Sequence, residues 1–344
     1  MEVICNQQDL DLCGLSLEPL TMKYPGLISG KAVTDKNGTA EPGGILSFWD
    51  LVIESVQNHA PDRTEFGYLQ VKSPYMYRSA QYAIQCLETA LARGLDPELY
   101  TYMDGIHMGH ANQQPTSFRN IGESLVGLSD KAFELRKRCT ILGSAHCARE
   151  RGYEMLEDAK GRMISSCIIR PLKLRRLHEI AGRFADGHSI ISTQSGCIHL
   201  LPDHPVIPEG LPSREHVPPP LVIIITSTPY GTEIALGALS LAIACAHQGI
   251  STRVIFIEDG VYALCGNHVV NPKEQFYAIQ DLINSATKSD RLQFFTYTSS
   301  LHKRGIQKNR KLNAVLEIGP EDFGKIMFEP PAGITGSCQR VLIF

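Results

Sequence analysis

The chain has 344 residues, a formal net charge of -3, 43% hydrophobic and 20% charged residues. That length accommodates two ordinary domains with sizeable cores, and the near-neutral balance gives no electrostatic reason to expect direct nucleic-acid contact or an anionic membrane surface. The opening MEVICNQQDLDLCG has neither a basic n-region nor an apolar h-region, and no apolar run approaches the thickness of a bilayer; a cytoplasmic protein with no secretory signal and no membrane span is expected.

Residues 1–62 read as an extension, loop-like around Pro25-Gly26, Lys36-Asn37-Gly38 and Pro42-Gly43-Gly44, with one amphipathic helix from Leu46 to Asn58. From Phe66 the pattern becomes strand, loop, helix, strand: FGYLQVK, SPYMY, a helix from Arg78 to Ala92, Gly94, and a strand Leu99 to Tyr102 ending in Met103-Asp104-Gly105. Next comes RCTILGSAHCARERGY, Arg138 to Tyr153: a short buried strand (Thr140 to Leu142), a small-residue turn, and a helix starting near Cys147. A helix from Leu172 to Phe184 and a strand from His188 to Ser192 close this unit. Thr193 to Pro220 is proline-rich and reads as an extended, stiff connector.

The same order returns from Leu221. LVIIITS, TPYGT, a helix of small and apolar residues from Glu233 to His247, Gly249 and the strand Arg253 to Ile257 lead into Glu258-Asp259-Gly260. An offset of 155 positions superposes Pro74-Tyr75 on Pro229-Tyr230, Gly94 on Gly249 and Asp104-Gly105 on Asp259-Gly260 without a gap. At an offset of 153, Arg138 to Tyr153 lies over RLQFFTYTSSLHKRGI, which puts Cys147 on Ser300 and Ser144 on Tyr297. The second copy ends with a helix from Phe323 to Phe328 and a strand from Arg340 to Phe344. This is an internal duplication of a βαβ-type domain: 1–62 extension, 63–193 first domain, 194–218 linker, 219–344 second domain.

The ten cysteines (5, 13, 86, 139, 147, 167, 197, 245, 265 and 338) contain no C-x-x-C pair, which argues against a structural zinc or a dithiol motif. Cys147 stands out because it falls where a strand hands over to a helix. Unsatisfied N–H groups and the helix dipole there, with His146, Arg149 and Arg151 beside it, predict a lowered pKa and a reactive thiolate; a small buried apolar residue is the bland alternative.

In a parallel sheet the ligand site lies beyond the carboxyl ends of the strands, so Tyr75, Asp104, His107 and Ser144 should share one rim with Cys147, His146, Arg149 and Arg151. His107, His110, His146 and Cys147 invite a metal reading, but no carboxylate or second cysteine completes a set, and neither metal nor cofactor is expected. Asp104 and Asp259 read better as turn and cap residues than as bases. The segments at Pro74 and Pro229 lack the glycines and lysine of a phosphate loop, although their N–H groups suit a small anion or a persulfide. Cys265 and Cys338 are secondary thiol candidates.

The pieces SPYMYRSAQYAI, YMDGIHMGHAN and GSAHCARERGY, with STPYGTEIALGALSLAIACAHQGI, FIEDGVYAL, SSLHKRGI and SCQRVLIF in the second copy, resemble the DsrE/DsrF-like family, which includes the sulfur-relay subunits of the DsrEFH and TusBCD complexes. The resemblance implies an α/β fold of two tandem DsrE-like domains, each a mostly parallel sheet of about five strands flanked by helices. It also implies oligomeric assembly, and sulfane sulfur carried as a persulfide on a cysteine followed by R-G. That role transfers to Cys147 only. The second copy has no cysteine at either family position and is expected to be degenerate. The expected function is thus a sulfur carrier or sulfurtransferase passing sulfur between donor and acceptor proteins, in a homo-oligomer. The alternatives are a non-catalytic DsrE-like binding or assembly protein forming a pseudo-symmetric oligomer, and a metal-dependent or thiol redox protein.

Overall fold

A computed structural model describes residues 2–6, 29–33, 48–59, 63–192, 198–201, 218–269, 278–329, 331 and 340–344. Two parallel five-stranded sheets dominate it. The chain runs through β1 (Glu2–Asn6), β2 (Ser29–Val33) and α1 (Phe48–His59), then β3 (Glu65–Gln70), α2 (Ser79–Ala92) and β4 (Asp96–Thr101). A 3-10 turn (Met103–Gly109) follows, then α3 (Ile121–Glu134), β5 (Thr140–Ser144), α4 (Ala145–Glu150), the hairpin β6 (Leu156–Glu157) and β7 (Met163–Ile164), β8 (Leu172–Arg175), α5 (Leu177–Ala185) and β9 (Ser189–Ile191). Strand β10 (Ile198–Leu201) precedes the second unit: β11 (Leu221–Ile225), α6 (Ile234–His247), β12 (Thr252–Phe256), a second 3-10 turn (Glu258–Leu264), α7 (Ile279–Ala286), β13 (Leu292–Tyr297), α8 (Thr298–Lys303), β14 (Val315–Ile318), α9 (Pro320–Phe328) and β15 (Arg340–Ile343).

The strand orders are β8-β5-β4-β3-β9 and β14-β13-β12-β11-β15, the same arrangement twice, as the duplicated pattern requires. Both sheets carry near-continuous apolar strands such as LVIII in β11, whose five residues are all buried, because helices or the other lobe cover both faces.

Two expectations are corrected. The segment from Leu172 is not helical at its start: Leu172 and Leu174 are buried while Lys173 is exposed, a period of two that adds an edge strand beside β5. The extension and connector are also joined by pairing, since β1 lies antiparallel to β10 and parallel to β2. Part of residues 194–218 is therefore sheet and not a free-standing spacer.

The lobes stack front to back. Tyr68 lies in a core with α1, α2 and α3 residues, whereas Leu69 belongs to a second core that continues into Leu221, Ile223 and α6 of the other lobe. Ile224, the counterpart of Leu69, lies instead in a small outer cluster with Ile326 and Met327 of α9. Equivalent faces thus meet different neighbours, which makes the contact heterologous and not two-fold. Helix α6 (IALGALSLAIACAH) is apolar on all sides because its own sheet lies beneath it and α5 lies above it. Across the joint, Tyr102 Oη donates to the Gly237 carbonyl at 3.1 Å and Arg340 Nη1 to the Phe184 carbonyl at 2.7 Å. Among the described residues no helix is long and apolar enough to cross a membrane.

Candidate functional site around Cys147

Strand β5 ends at Ser144, whose hydroxyl accepts the Cys147 N–H at 3.3 Å and caps α4. The cap turns the chain so that Cys147 points inward while His146 and Arg149 are exposed on the outer side. The thiol then meets the first 3-10 turn. Met103 sits at φ 53°, a left-handed conformation uncommon for a side chain of its size, and its N–H donates to Cys147 Sγ at 3.2 Å. Gly105 allows this turn to lie on the end of β3, since a Cβ there would overlap the Gln70 carbonyl oxygen.

Arg151 ties the site together. Its Nη1 donates to the Cys147 carbonyl at 3.3 Å, and its Nη2 pairs with Asp104 at 2.8 Å and with Glu233, at the start of α6 in the other lobe, at 2.7 Å. Asp104 is therefore neither a helix cap nor a base poised on the thiol; it is an ion-pair partner of Arg151. His107 is half-buried with Nδ1 2.7 Å from the Tyr153 hydroxyl, and burial, reinforced by Arg151, lowers its pKa. Tyr75, also at positive φ, donates its hydroxyl to Gln113 and accepts the Ile121 N–H at 3.2 Å, so it braces the start of α3.

Cys147 itself departs from expectation. It is 5% exposed and belongs to the core shared by both lobes. Desolvation raises its pKa, against the lowering effects of Ser144, Met103 and Arg151. The anticipated helix-dipole activation fails for a physical reason. Helix α4 has only six residues and its cap N–H is already used by Ser144, while His146 and Arg149 face solvent.

The second lobe repeats the framework with a different side chain. Glu258, at φ 51°, donates its N–H to Ser300 Oγ at 3.0 Å, and Arg304 pairs with Asp259 and Glu258, each at 2.8 Å. There the second acid comes from the same lobe, whereas Arg151 draws Glu233 from across the joint. Cys265 is half-buried with its thiol 3.3 Å from the Tyr262 carbonyl; Cys338 lies outside the described residues. Among the described residues no group of three or more His, Cys, Asp or Glu side chains is arranged to hold a metal ion.

Sequence reasoning did not single out Met103, Glu233 or Gly237 as parts of the site. The legible signal was the apolar helix with a glycine on its outer face. A Cβ at Gly237 would sit 2.8 Å from Met103 Sδ, so the glycine admits that side chain.

Residues 220–327, in the second lobe, match the model of the DsrE/DsrF-like family. Among solved structures, the ychN protein from E. coli is similar at 20% identity, over 37% of this chain and 99% of that chain, with a TM-score of 0.31. No curated protein matches the chain.

Proposed function

We propose that the protein is a sulfur carrier in which Cys147 holds sulfane sulfur as a persulfide between a donor protein and an acceptor protein, the second lobe serving as cover and docking surface. The observation that carries this reading is the Met103 N–H, held at positive φ and aimed at Cys147 Sγ at the carboxyl end of β5. Backbone donors in strained turns mark sites where charge is held. The family match of the second lobe, in a family implicated in sulfur relay, supports the same reading.

The chemistry is thiol exchange. The Cys147 thiolate attacks the outer sulfur of a donor persulfide; a new S–S bond forms, the donor's S–S bond breaks, and the donor leaves as thiolate. An acceptor thiolate then takes the outer sulfur and returns Cys147 as thiolate, with no net oxidation. Incubation with a small persulfide donor, followed by mass mapping of all ten cysteines, should place one added sulfur on Cys147 and none on that peptide in Cys147→Ser. Equal loading of the two proteins contradicts the assignment.

A second reading, a non-catalytic assembly protein, is favoured by one observation. Ser300 receives the same N–H bond without a thiol, so the contact also works as a structural tie. A folded protein that takes up no sulfur at Cys147 supports that reading.

A further inference from the structure

A carrier thiol sealed between two lobes needs a way to be uncovered. The joint at this point is made by Tyr102 and Met103 of the first lobe against Gly237 of α6, with the Met103 N–H on the thiol. Its polar fastenings near the thiol are the Arg151–Glu233 pair and the Tyr102–Gly237 hydrogen bond. Arg151 is itself bonded to the Cys147 carbonyl, so whatever holds Arg151 also holds the backbone of the thiol. The Glu233 side chain is 60% exposed and open to competition from solvent and salt. In the second lobe the equivalent arginine uses Glu258 of its own lobe, so a tie across the joint belongs to the cysteine-bearing site.

Building on the carrier reading, we propose that the Arg151–Glu233 ion pair is a latch on the lobe joint: its release lets α6 lift from Met103 and opens Cys147 to a partner's thiol. Asp104 holds the same guanidinium alongside Glu233, so an acidic partner segment arriving at Arg151 can take the place of Glu233 without leaving the arginine unpaired. Gly237 sets the fit of the closed state, because Met103 fills the space where a side chain would stand.

The test is the rate of iodoacetamide labelling at each cysteine of the full chain at fixed pH. Glu233→Gln should speed labelling of Cys147 by about two- to fivefold, the range that a solvent-exposed ion pair supports. Gly237→Ala, which wedges the joint, should speed it at least as much. In the parent protein, raising salt from about 0.05 M to about 1 M should act in the same direction. Cys86, fully buried in the first lobe's own core, should stay protected throughout. An unchanged Cys147 rate in both variants and across the salt range overturns the latch, as does acceleration shared by Cys86, which reports unfolding. Glu233→Gln also removes a carboxylate that raises the Cys147 pKa, whereas Gly237→Ala changes no charge, so acceleration in Gly237→Ala is the reading of access. Neither reads sulfur uptake: a Cys147 that opens as described yet accepts no sulfur leaves the latch standing and removes the carrier reading.

Discussion

At the scale of single side chains, Cys147 is set by competing effects. Desolvation raises its pKa, the Ser144 hydroxyl, the Met103 N–H and Arg151 lower it, and the balance lies above the ordinary 9.0. The sign of the pH dependence follows. A raised pKa means a smaller thiolate fraction at every pH below it, so alkylation of Cys147 should be slower than that of a free thiol at pH 8. The rate should keep climbing past pH 9 without levelling off; a plateau below pH 8 would show an ionised thiol. The position of Cys147 at a strand end was legible in GSAHCARERGY, because a buried strand, small residues and a helix start follow one another there. Its burial was not legible. Cys147 shares its core with residues of α6, far along the chain, and a local reading of His146 and Arg149 assigns the thiol a charged environment that those residues direct outward.

Elements show the same division between local and distant causes. The apolar run of β11 and the long helix after it could be read directly, since each announces its period over many residues. Strand β8 could not, because four residues (LKLR) run into a helix without a break, and the pattern in isolation continues the helix upstream. Helices α3 and α7 lie outside the predicted elements. Helix α6 makes a firm energetic claim, being packed on both sides. Leu239 is fully buried in the shared core, so Leu239→Ala should lower the free energy of unfolding by about 2–5 kcal/mol. Leu316→Ala, at a side chain 56% exposed on β14, should change it by no more than about 0.5 kcal/mol. Urea denaturation of the two variants measures both; equal losses would mean that α6 is not the packed centre of the joint.

For the whole molecule, the repeated strand order has not produced two equivalent sites. Front-to-back stacking gives the first lobe an apolar cover over Cys147 and leaves the equivalent face of the second lobe to α9. At the matching position Glu258 replaces Met103 and Ser300 replaces Cys147. One lobe keeps the thiol and the other closes it, a division that neither copy's sequence reveals alone. The order of events in the carrier reading follows from that geometry: the joint opens, sulfur is taken up, and sulfur is handed on. The most direct measurement follows a sulfane label from donor to acceptor thiol through the intact chain. The account predicts a labelled Cys147 persulfide that forms before the acceptor is labelled and disappears as the acceptor gains sulfur, with no transfer through Cys147→Ser. Transfer at the parent rate through Cys147→Ser would contradict it.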